Sequence, residues 1–389
     1  MNIAIIGGGI AGLTTALALR QPDRSPGRIR VSIFETSPEL KPVGAGIALA
    51  ANAVSAFGLL GIREQVLAFG NPFDSFGILD KSGRVITETS HLAAVVKYRV
   101  PGSFSIHRAD LQRVLLEQLS DVPLHLGHRC TGFTETNSGV TLTFQNGISE
   151  TFDAVIAADG IHSIFRKTLL PHSSPRFAGY TCWRGVTDQR PAGLNPRRAT
   201  ETWAPEGRFG IVPLAGGRVY WFACLNAPQA QDARLRAFTK TDLRHTFAGL
   251  HAPVVDLIDG TAPEAILWND IIDVKPVRKI HFGRVLLLGD AAHAMTPNLG
   301  QGACQGIEDA VVLQHCLGQH AGNWAAACCD FEARRLPRTS VIVDRSFALG
   351  KIAQVSTPWL AGLRNAALRL VPARANERQL DFIMDMKLG

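Results

Sequence analysis

The sequence predicts an α/β protein in which a parallel sheet, assembled from distant parts of the chain, is interleaved with a mainly antiparallel sheet and closed by C-terminal helices. Three observations predict it. The N-terminus runs from a short apolar stretch through a glycine-rich turn into a helical apolar pattern that ends near Leu19. Two later apolar runs, 153–158 and 285–288, end in Asp-Gly and Gly-Asp. Between them lie short alternating segments such as Arg218-Val219-Tyr220-Trp221-Phe222-Ala223, whose period of two is that of a strand.

The first element sets the frame. Ile3-Ala4-Ile5-Ile6 reads as a buried strand, and Gly7-Gly8-Gly9-Ile10-Ala11-Gly12 supplies G-x-G-x-x-G at a strand-to-helix turn. Gly7 permits the tight turn, Gly9 lets the backbone approach a diphosphate, and Gly12 lets the helix sit close on the sheet. The helix N-terminus then offers free N–H groups to the anion. A second strand, Val31-Ser32-Ile33-Phe34, ends in Glu35, where an acid reaches the ribose hydroxyls of an adenosine. Strand, glycines, helix, strand and acid together predict a Rossmann-like dinucleotide site. The insert 21–28, polar with Pro and Gly, is read as a surface loop.

Composition narrows the class. The chain has 389 residues, 46% hydrophobic and 19% charged, which is ordinary for a globular protein of two or three domains. Its net charge of +7 is scattered rather than gathered in runs, which predicts an enzyme that attracts anionic cofactors and substrates and no nucleic-acid partner. Cysteines at 130, 182, 224, 304, 316, 328 and 329 make no C-x-x-C pair and no ligand spacing with histidine, so no metal site is expected. Their odd number predicts free thiols in a reducing, cytoplasmic compartment. The apolar N-terminus lacks a basic leader, and no stretch reaches the about 18 apolar residues of a membrane-spanning helix, so no integral membrane segment is expected.

The two later strands carry the specific signal. Asp159-Gly160 is followed by Ser163 and Arg166 at D-G-x-x-S-x-x-R spacing, and Gly289-Asp290-Ala291-Ala292-His293 is followed by Pro297, Gly300 and Gly302. A carboxylate at the C-terminal end of a parallel strand stands where open α/β sheets bind ligands. Taken with the N-terminal fingerprint, these motifs resemble the single-component FAD-dependent aromatic hydroxylases, the para-hydroxybenzoate hydroxylase-like family, over residues 1 to about 345. The resemblance implies that Asp290 holds the ribityl chain of a non-covalent FAD and that Asp159 and Gly160 contact FAD and the nicotinamide. Ser105-Ile106-His107-Arg108-Ala109-Asp110-Leu111, read as the start of an amphipathic helix, resembles the family's H-R-x-x-L segment and makes Arg108 a cofactor residue. Gly44-Ala45-Gly46-Ile47 followed by Asn52 resembles the loop and helix beside the flavin.

After Pro297 a helix is expected to begin at about Ala303, with its N–H groups and dipole favouring an anionic flavin. Cys304 stands where many relatives carry Asn; a redox role for it lacks a neighbouring resolving cysteine. Glu308-Asp309-Ala310 resembles the family's E-D-A pattern, and His107, His162 and His293 are histidines beside motifs, none nominated as a base.

The resemblance divides the chain into an FAD-binding domain at 1–72, 101–175 and 276–345, a substrate domain at 73–100 and 176–275, and a C-terminal helical segment at 346–389. In the substrate half, Tyr180-Thr181-Cys182-Trp183-Arg184-Gly185 resembles the strand that enters the pocket, with Trp183 and Arg184 on opposite faces. Arg184 could pair with a substrate carboxylate or oxyanion, Tyr220 and Phe222 could form apolar walls, and Pro297 is placed at the flavin face. The implied reaction is a monooxygenation. NADH or NADPH docks transiently and reduces FAD, dioxygen adds at the flavin C4a, and one oxygen passes to a small aromatic or conjugated substrate. Met295 to Gly302 also resembles carotenoid epoxidases, which keeps epoxidation of an isoprenoid or polyene as an alternative, beside a prenyl-binding regulator on the same fold without FAD.

Overall fold

The computed structural model describes residues 1–20, 29–40, 45–99, 102–372 and 381–386. The insert read as a loop at 21–28, and Gly44, lie outside the described residues.

The N-terminal fingerprint folds as its pattern requires. The strand Asn2–Ile6 is the hub of a six-stranded sheet, paired in parallel with Arg30–Phe34 on one side and Ala154–Ala157 on the other. Val285–Leu287 pairs in parallel with Ala154–Ala157, so all three acid-bearing loops leave the same edge of one sheet. Leu124–His125 and the antiparallel His281–Phe282 complete it. The central strands are mostly apolar and buried beyond their first residues because both faces are covered. The helix Ile10–Arg20 and the helix Gly302–Gln319 pack together on the sheet, and the core there holds Ile5, Leu17, Val155, Leu286 and Val311.

The antiparallel expectation holds in a seven-stranded sheet ordered Leu267–Val274, Pro175–Thr187, Val219–Asn226, Gly207–Pro213, Arg198–Ala204, Ser75–Leu79 and Val85–Ser90. Only the Arg198–Ala204 and Ser75–Leu79 pair is parallel. The strand Val219–Asn226 is buried on both sides because alternate residues serve two interfaces. Trp221 and Val219 face an outer core with Phe209, Leu243 and Phe247, whereas Tyr220 and Cys224 face the parallel-sheet half. Trp183 lies in the outer core and Arg184 on the inner face, as the alternation predicts.

Two expectations are corrected, the helix start at Ser105 and the loop at Gly46. Ser105 to His107 belong to the strand Ser103–His107, and the helix starts at Arg108, with the His107 ring accepting from Ala109 N. Apolar Phe104 and Ile106 alternate with Ser103 and Ser105, the period of two of a strand, and all four are buried. Gly46–Leu49 is likewise a strand, antiparallel to Ser103–His107, rather than a loop. The division at 345/346 falls inside one continuous helix, Trp324–Ala353, and Asn71–Phe73 pairs with Ser103–His107 across the division at 72/73. Beyond the long helix, Pro358–Arg369 packs on the seven-stranded sheet through Arg364, whose guanidinium lies 5.2 Å over the Trp203 ring and donates to Ala353 O at 3.0 Å.

Candidate active site

The glycine turn is built by close contact. A Cβ on Gly7 would stand 2.4 Å from Ala158 O, and one on Gly12 would stand 2.0 Å from Gly7 O, whereas the space at Gly9 is open. The first two positions are therefore closed by the protein itself, and the third leaves room for a ligand against the backbone. Glu35 stands at the end of the second strand, where Oε2 accepts from Gly8 N at 2.7 Å and Oε1 from Ser37 N at 2.8 Å. Each carboxylate oxygen keeps a lone pair for a hydroxyl.

The Asp-Gly and Gly-Asp loops are tied to each other by Arg166. Its side chain is buried, and it donates to Ile161 O, to Asp290 O at 3.2 Å and to Ala291 O at 3.0 Å. Ser163 Oγ caps the short helix Ile164–Leu169 by accepting from Arg166 N, and Asp159 Oδ2 accepts from Ile164 N at 3.0 Å. The other oxygen of Asp159 is buried without a partner among the described residues, and burial raises its pKa above the usual carboxylate value. Gly160, at φ 80°, has nothing over it.

Asp290 is solvent-accessible yet ringed by protein. That surrounding mass raises its pKa, against the opposing charges of His293, Arg108 and Arg166. Arg108 is exposed at the start of its helix and faces the same hollow. An accessible carboxylate destabilised in its charged form, at the carboxyl edge of a parallel sheet and beside an open Gly9, fits a group rich in hydroxyls and phosphates.

The loop after Asp290 is held from behind. Asp309 accepts from Gly289 N at 2.9 Å, from His293 Nε2 at 2.7 Å and from Arg335 Nε at 2.6 Å. Burial opposes its charge, but His293 and Arg335 outweigh burial and hold its pKa below the usual range. Glu308 is bound by Arg335, by Arg338 and by Asn52 Nδ2 at 3.0 Å. The E-D-A pattern is thus a buried charge network supporting the loop, with His293 inside it. Asn52 also donates to Gln301 Oε1 at 3.1 Å. Pro297 and Gly300 are exposed to the hollow, Gly300 sits at φ 62°, and the helix begins at Gly302, one residue before the expected start. Cys304 is fully buried against Ala50 N, and burial pushes its thiol up to about 12, which makes it inert.

The inner face of the seven-stranded sheet covers this hollow. Tyr180 Oη donates to Asn298 Oδ1 at 3.1 Å, and Asn298 is fixed in turn by donating to Thr296 Oγ1 and Ser346 O, each at 2.9 Å. At the other end Tyr220 lies directly on Gly46, whose absent side chain makes room for it. Gly46 therefore seats the tyrosine, and the space beside its Cα is not free for a ligand. Between these contacts stand Arg184, Phe222 and Val212. The Tyr220 and Phe222 rings are 5.9 Å apart, and the Arg184 guanidinium lies beside both the Tyr220 hydroxyl and the Cys182 thiol. Burial keeps the Tyr220 hydroxyl well above its ordinary pKa, although Arg184 pulls the other way.

Sequence reasoning missed Arg208 and the pairing of Tyr180 with Asn298. Arg208 is buried, pairs with Glu201 at 3.1 Å and lies 5.1 Å over the Tyr180 ring. The motifs bring Gly7, Gly9, Gly12, Glu35, Asp159, Gly160, Asp290 and the 297–302 loop to one edge, but only strand register brings Arg208 to the inner face.

Comparison with known proteins agrees with this geometry. The family model described as FAD binding domain matches residues 1–346. The aurachin C monooxygenase/isomerase of Stigmatella aurantiaca is 39% identical over 375 residues, 95% of this chain and 94% of that protein. An FAD-dependent urate hydroxylase of Klebsiella pneumoniae is 36% identical over 372 residues, 94% of each chain. The crystal structure of Klebsiella pneumoniae HpxO complexed with FAD and uric acid superposes with a TM-score of 0.90 at 31% identity, covering 100% of this chain and 98% of that one. With its motifs at one sheet edge, a hollow suited to FAD and these relatives, the chain belongs to the FAD binding domain family and is an FAD-dependent, NAD(P)H-consuming monooxygenase of the aromatic hydroxylase type.

Proposed function

We propose that this chain oxygenates a planar, electron-rich heteroaromatic compound that carries a carbonyl or ionised oxygen, held between the flavin and the inner face of the seven-stranded sheet. The observation that carries the reading is the cluster of Arg184, Tyr220 and Phe222 between the Gly46 strand and the Pro297 loop. Tyr220, kept protonated, donates a hydrogen bond to the substrate oxygen, and Arg184 supplies the positive charge that favours its anionic form. Phe222 and Val212 give the ring an apolar wall and exclude water. A urate hydroxylase among the relatives supports a substrate of this kind.

The same reading assigns the cofactor contacts. The diphosphate lies against Gly7, Gly9 and Gly12, and Glu35 takes the adenosine ribose. Asp290 takes the ribityl hydroxyls, Arg108, Asp159 and Gly160 line the cofactor's flank, and Pro297, Gly300 and Gly302 border the flavin ring. Bound FAD supplies the redox chemistry, taking electrons from NADH or NADPH and activating dioxygen so that one oxygen atom reaches the substrate. Residues 1–72, 101–175 and the segment from 276 into the long helix form the FAD-binding part, and the seven-stranded sheet forms the substrate part.

A second reading, epoxidation of a conjugated double bond followed by rearrangement, is favoured by the 39%-identical relative named a monooxygenase/isomerase. The test is anaerobic reduction of the yellow protein by NADH and by NADPH, with and without a panel of heteroaromatic and polyene compounds, followed by product mass and NMR. Ligand-stimulated flavin bleaching, with a product heavier by one oxygen from labelled dioxygen, supports the function. Product connectivity separates hydroxylation from epoxidation. Reduction equally fast without any ligand, and no oxygenated product, overturns it.

A further inference from the structure

The inner face of the seven-stranded sheet carries a second chemical feature that the oxygenation does not use. Cys182, on Pro175–Thr187, is the direct cross-strand partner of Cys224, on Val219–Asn226. Directly opposed residues of an antiparallel pair have Cα atoms about 4.5–5.5 Å apart, inside the roughly 4.4–6.8 Å range that a disulfide spans. Both side chains point to the inner face, in one apolar cluster with Tyr180 and Ile271, and the Cys182 thiol donates to its neighbour Trp183 O at 3.4 Å. They stand on the same sheet face between the Tyr180 contact to Asn298 and the Tyr220 contact to Gly46, buried in the layer that covers the hollow assigned above to the flavin and substrate.

We propose that Cys182 and Cys224 form a dithiol site that reduces hydrogen peroxide set free in this pocket and becomes a disulfide. The source of peroxide rests on the proposed function: a monooxygenase whose activated oxygen is not transferred releases it beside these thiols. The step balances. The Cys182 thiolate attacks one peroxide oxygen, the O–O bond breaks, and hydroxide leaves and is protonated to water. The Cys224 thiol then attacks the sulfenic sulfur, the S–S bond forms, the S–O bond breaks, and a second water leaves with the thiol proton. Two thiols lose two electrons, and one peroxide becomes two waters.

The surroundings divide the labour between the two sulfurs. Burial alone would raise the Cys182 thiol. The neighbouring Cys224 sulfur and the guanidinium charges of Arg184 and Arg208 outweigh it and bring the thiol below its ordinary value, which favours an attacking thiolate. The neighbouring Cys182 sulfur, together with burial, raises Cys224 well above the ordinary thiol value, as befits the resolving partner that stays protonated until the sulfenic acid forms. Both side chains are at most 2% exposed, so oxidants from bulk solvent reach them less readily than they reach the exposed Cys329.

The experiment has two arms on the reduced, FAD-loaded protein, both read by peptide mapping under non-reducing conditions. In the first, hydrogen peroxide is added without nicotinamide. Most molecules are expected to yield a linked peptide joining Cys182 to Cys224 that a phosphine reductant reverses, and Cys224→Ser is expected to leave a dimedone-trappable sulfenic acid at Cys182. In the second, NADH or NADPH is oxidised aerobically without substrate and with catalase in the bulk. The linked peptide is expected to persist while Cys329 stays reduced. Peroxide that modifies Cys329 but leaves Cys182 and Cys224 as free thiols, in wild type and in Cys224→Ser, overturns the dithiol site. A pair that links with added peroxide but not during nicotinamide oxidation overturns the flavin as the source, and so points back to the proposed function rather than to the thiols.

Discussion

A β-carbon built on Gly46 would stand 2.6 Å from the Cβ of Tyr220, closer than real side chains approach. At this end of the sheet, the contact brings the seven-stranded sheet directly onto the Gly46 strand. Gly46→Ala is expected to lift Tyr220 by overpacking, at a cost of about 1–3 kcal/mol, without touching the glycine turn or Asp290. FAD binding should therefore survive while water enters the pocket. The check is the ratio of peroxide released to nicotinamide oxidised in the presence of substrate, which should rise severalfold with the flavin spectrum intact. A fully coupled Gly46→Ala protein would show that the close approach does not govern the pocket.

The buried pair of Arg208 and Glu201 makes a sharper energetic prediction. Removing one partner of a buried ion pair leaves the other charge uncompensated, at about 3–5 kcal/mol, whereas replacing both by apolar groups is often nearly neutral. Arg208→Met should lower stability by that order, and Arg208→Met combined with Glu201→Leu should recover most of it. Urea unfolding of the single and double variants measures the difference. Recovery of stability without recovery of coupled turnover would separate the packing role of Arg208 from its place over Tyr180.

What the sequence made legible, and what it hid, follows from the range of each interaction. Gly7, Gly12, Ser163 and Arg166 act on backbone only a few residues away or on a neighbouring parallel strand, so fixed spacing carried the signal. Gly46 was recognisable as a needed glycine, but its reason, Tyr220, lies on a strand of the other sheet. Arg208, Asn298 and the Cys182 to Cys224 pair depend on cross-strand register and on packing between sheets, which no local spacing encodes. The misplaced helix start at Ser105 shows a local conflict. Helical residues from Arg108 onward masked a period-two strand that ends at His107.

Arg166 joins the Asp159 loop to the Asp290 loop through three backbone carbonyls. Arg166→Met preserves bulk but leaves those carbonyls without donors, each at about 1–3 kcal/mol before relaxation. The two loops should then lose their relative position, and FAD affinity should fall by at least about tenfold, which corresponds to 1.4 kcal/mol. Quenching of flavin fluorescence on titration of the apo protein measures this, and unchanged affinity would mean that the loops are positioned without Arg166.

Asp290 should trade stability for binding, and the sign can be worked out. Its folded pKa lies above the ordinary carboxylate value because surrounding protein disfavours the charged form. At neutral pH the carboxylate is charged in both states, and the folded apo protein carries the larger penalty, so Asp290 destabilises it. As pH falls through the raised folded pKa, the folded state takes up its proton first and the penalty disappears, fully so below the unfolded value. Asp290→Asn should therefore raise the melting temperature of the apo protein at neutral pH, and its advantage over wild type should shrink as the pH is lowered toward 4. The same substitution should weaken FAD binding, because the amide accepts fewer hydroxyl hydrogen bonds than the carboxylate. Calorimetry of apo wild type and Asp290→Asn across that range, with flavin titration at neutral pH, tests both halves. A variant less stable than wild type at neutral pH would mean that the carboxylate holds the apo fold together rather than waiting for the cofactor's hydroxyls.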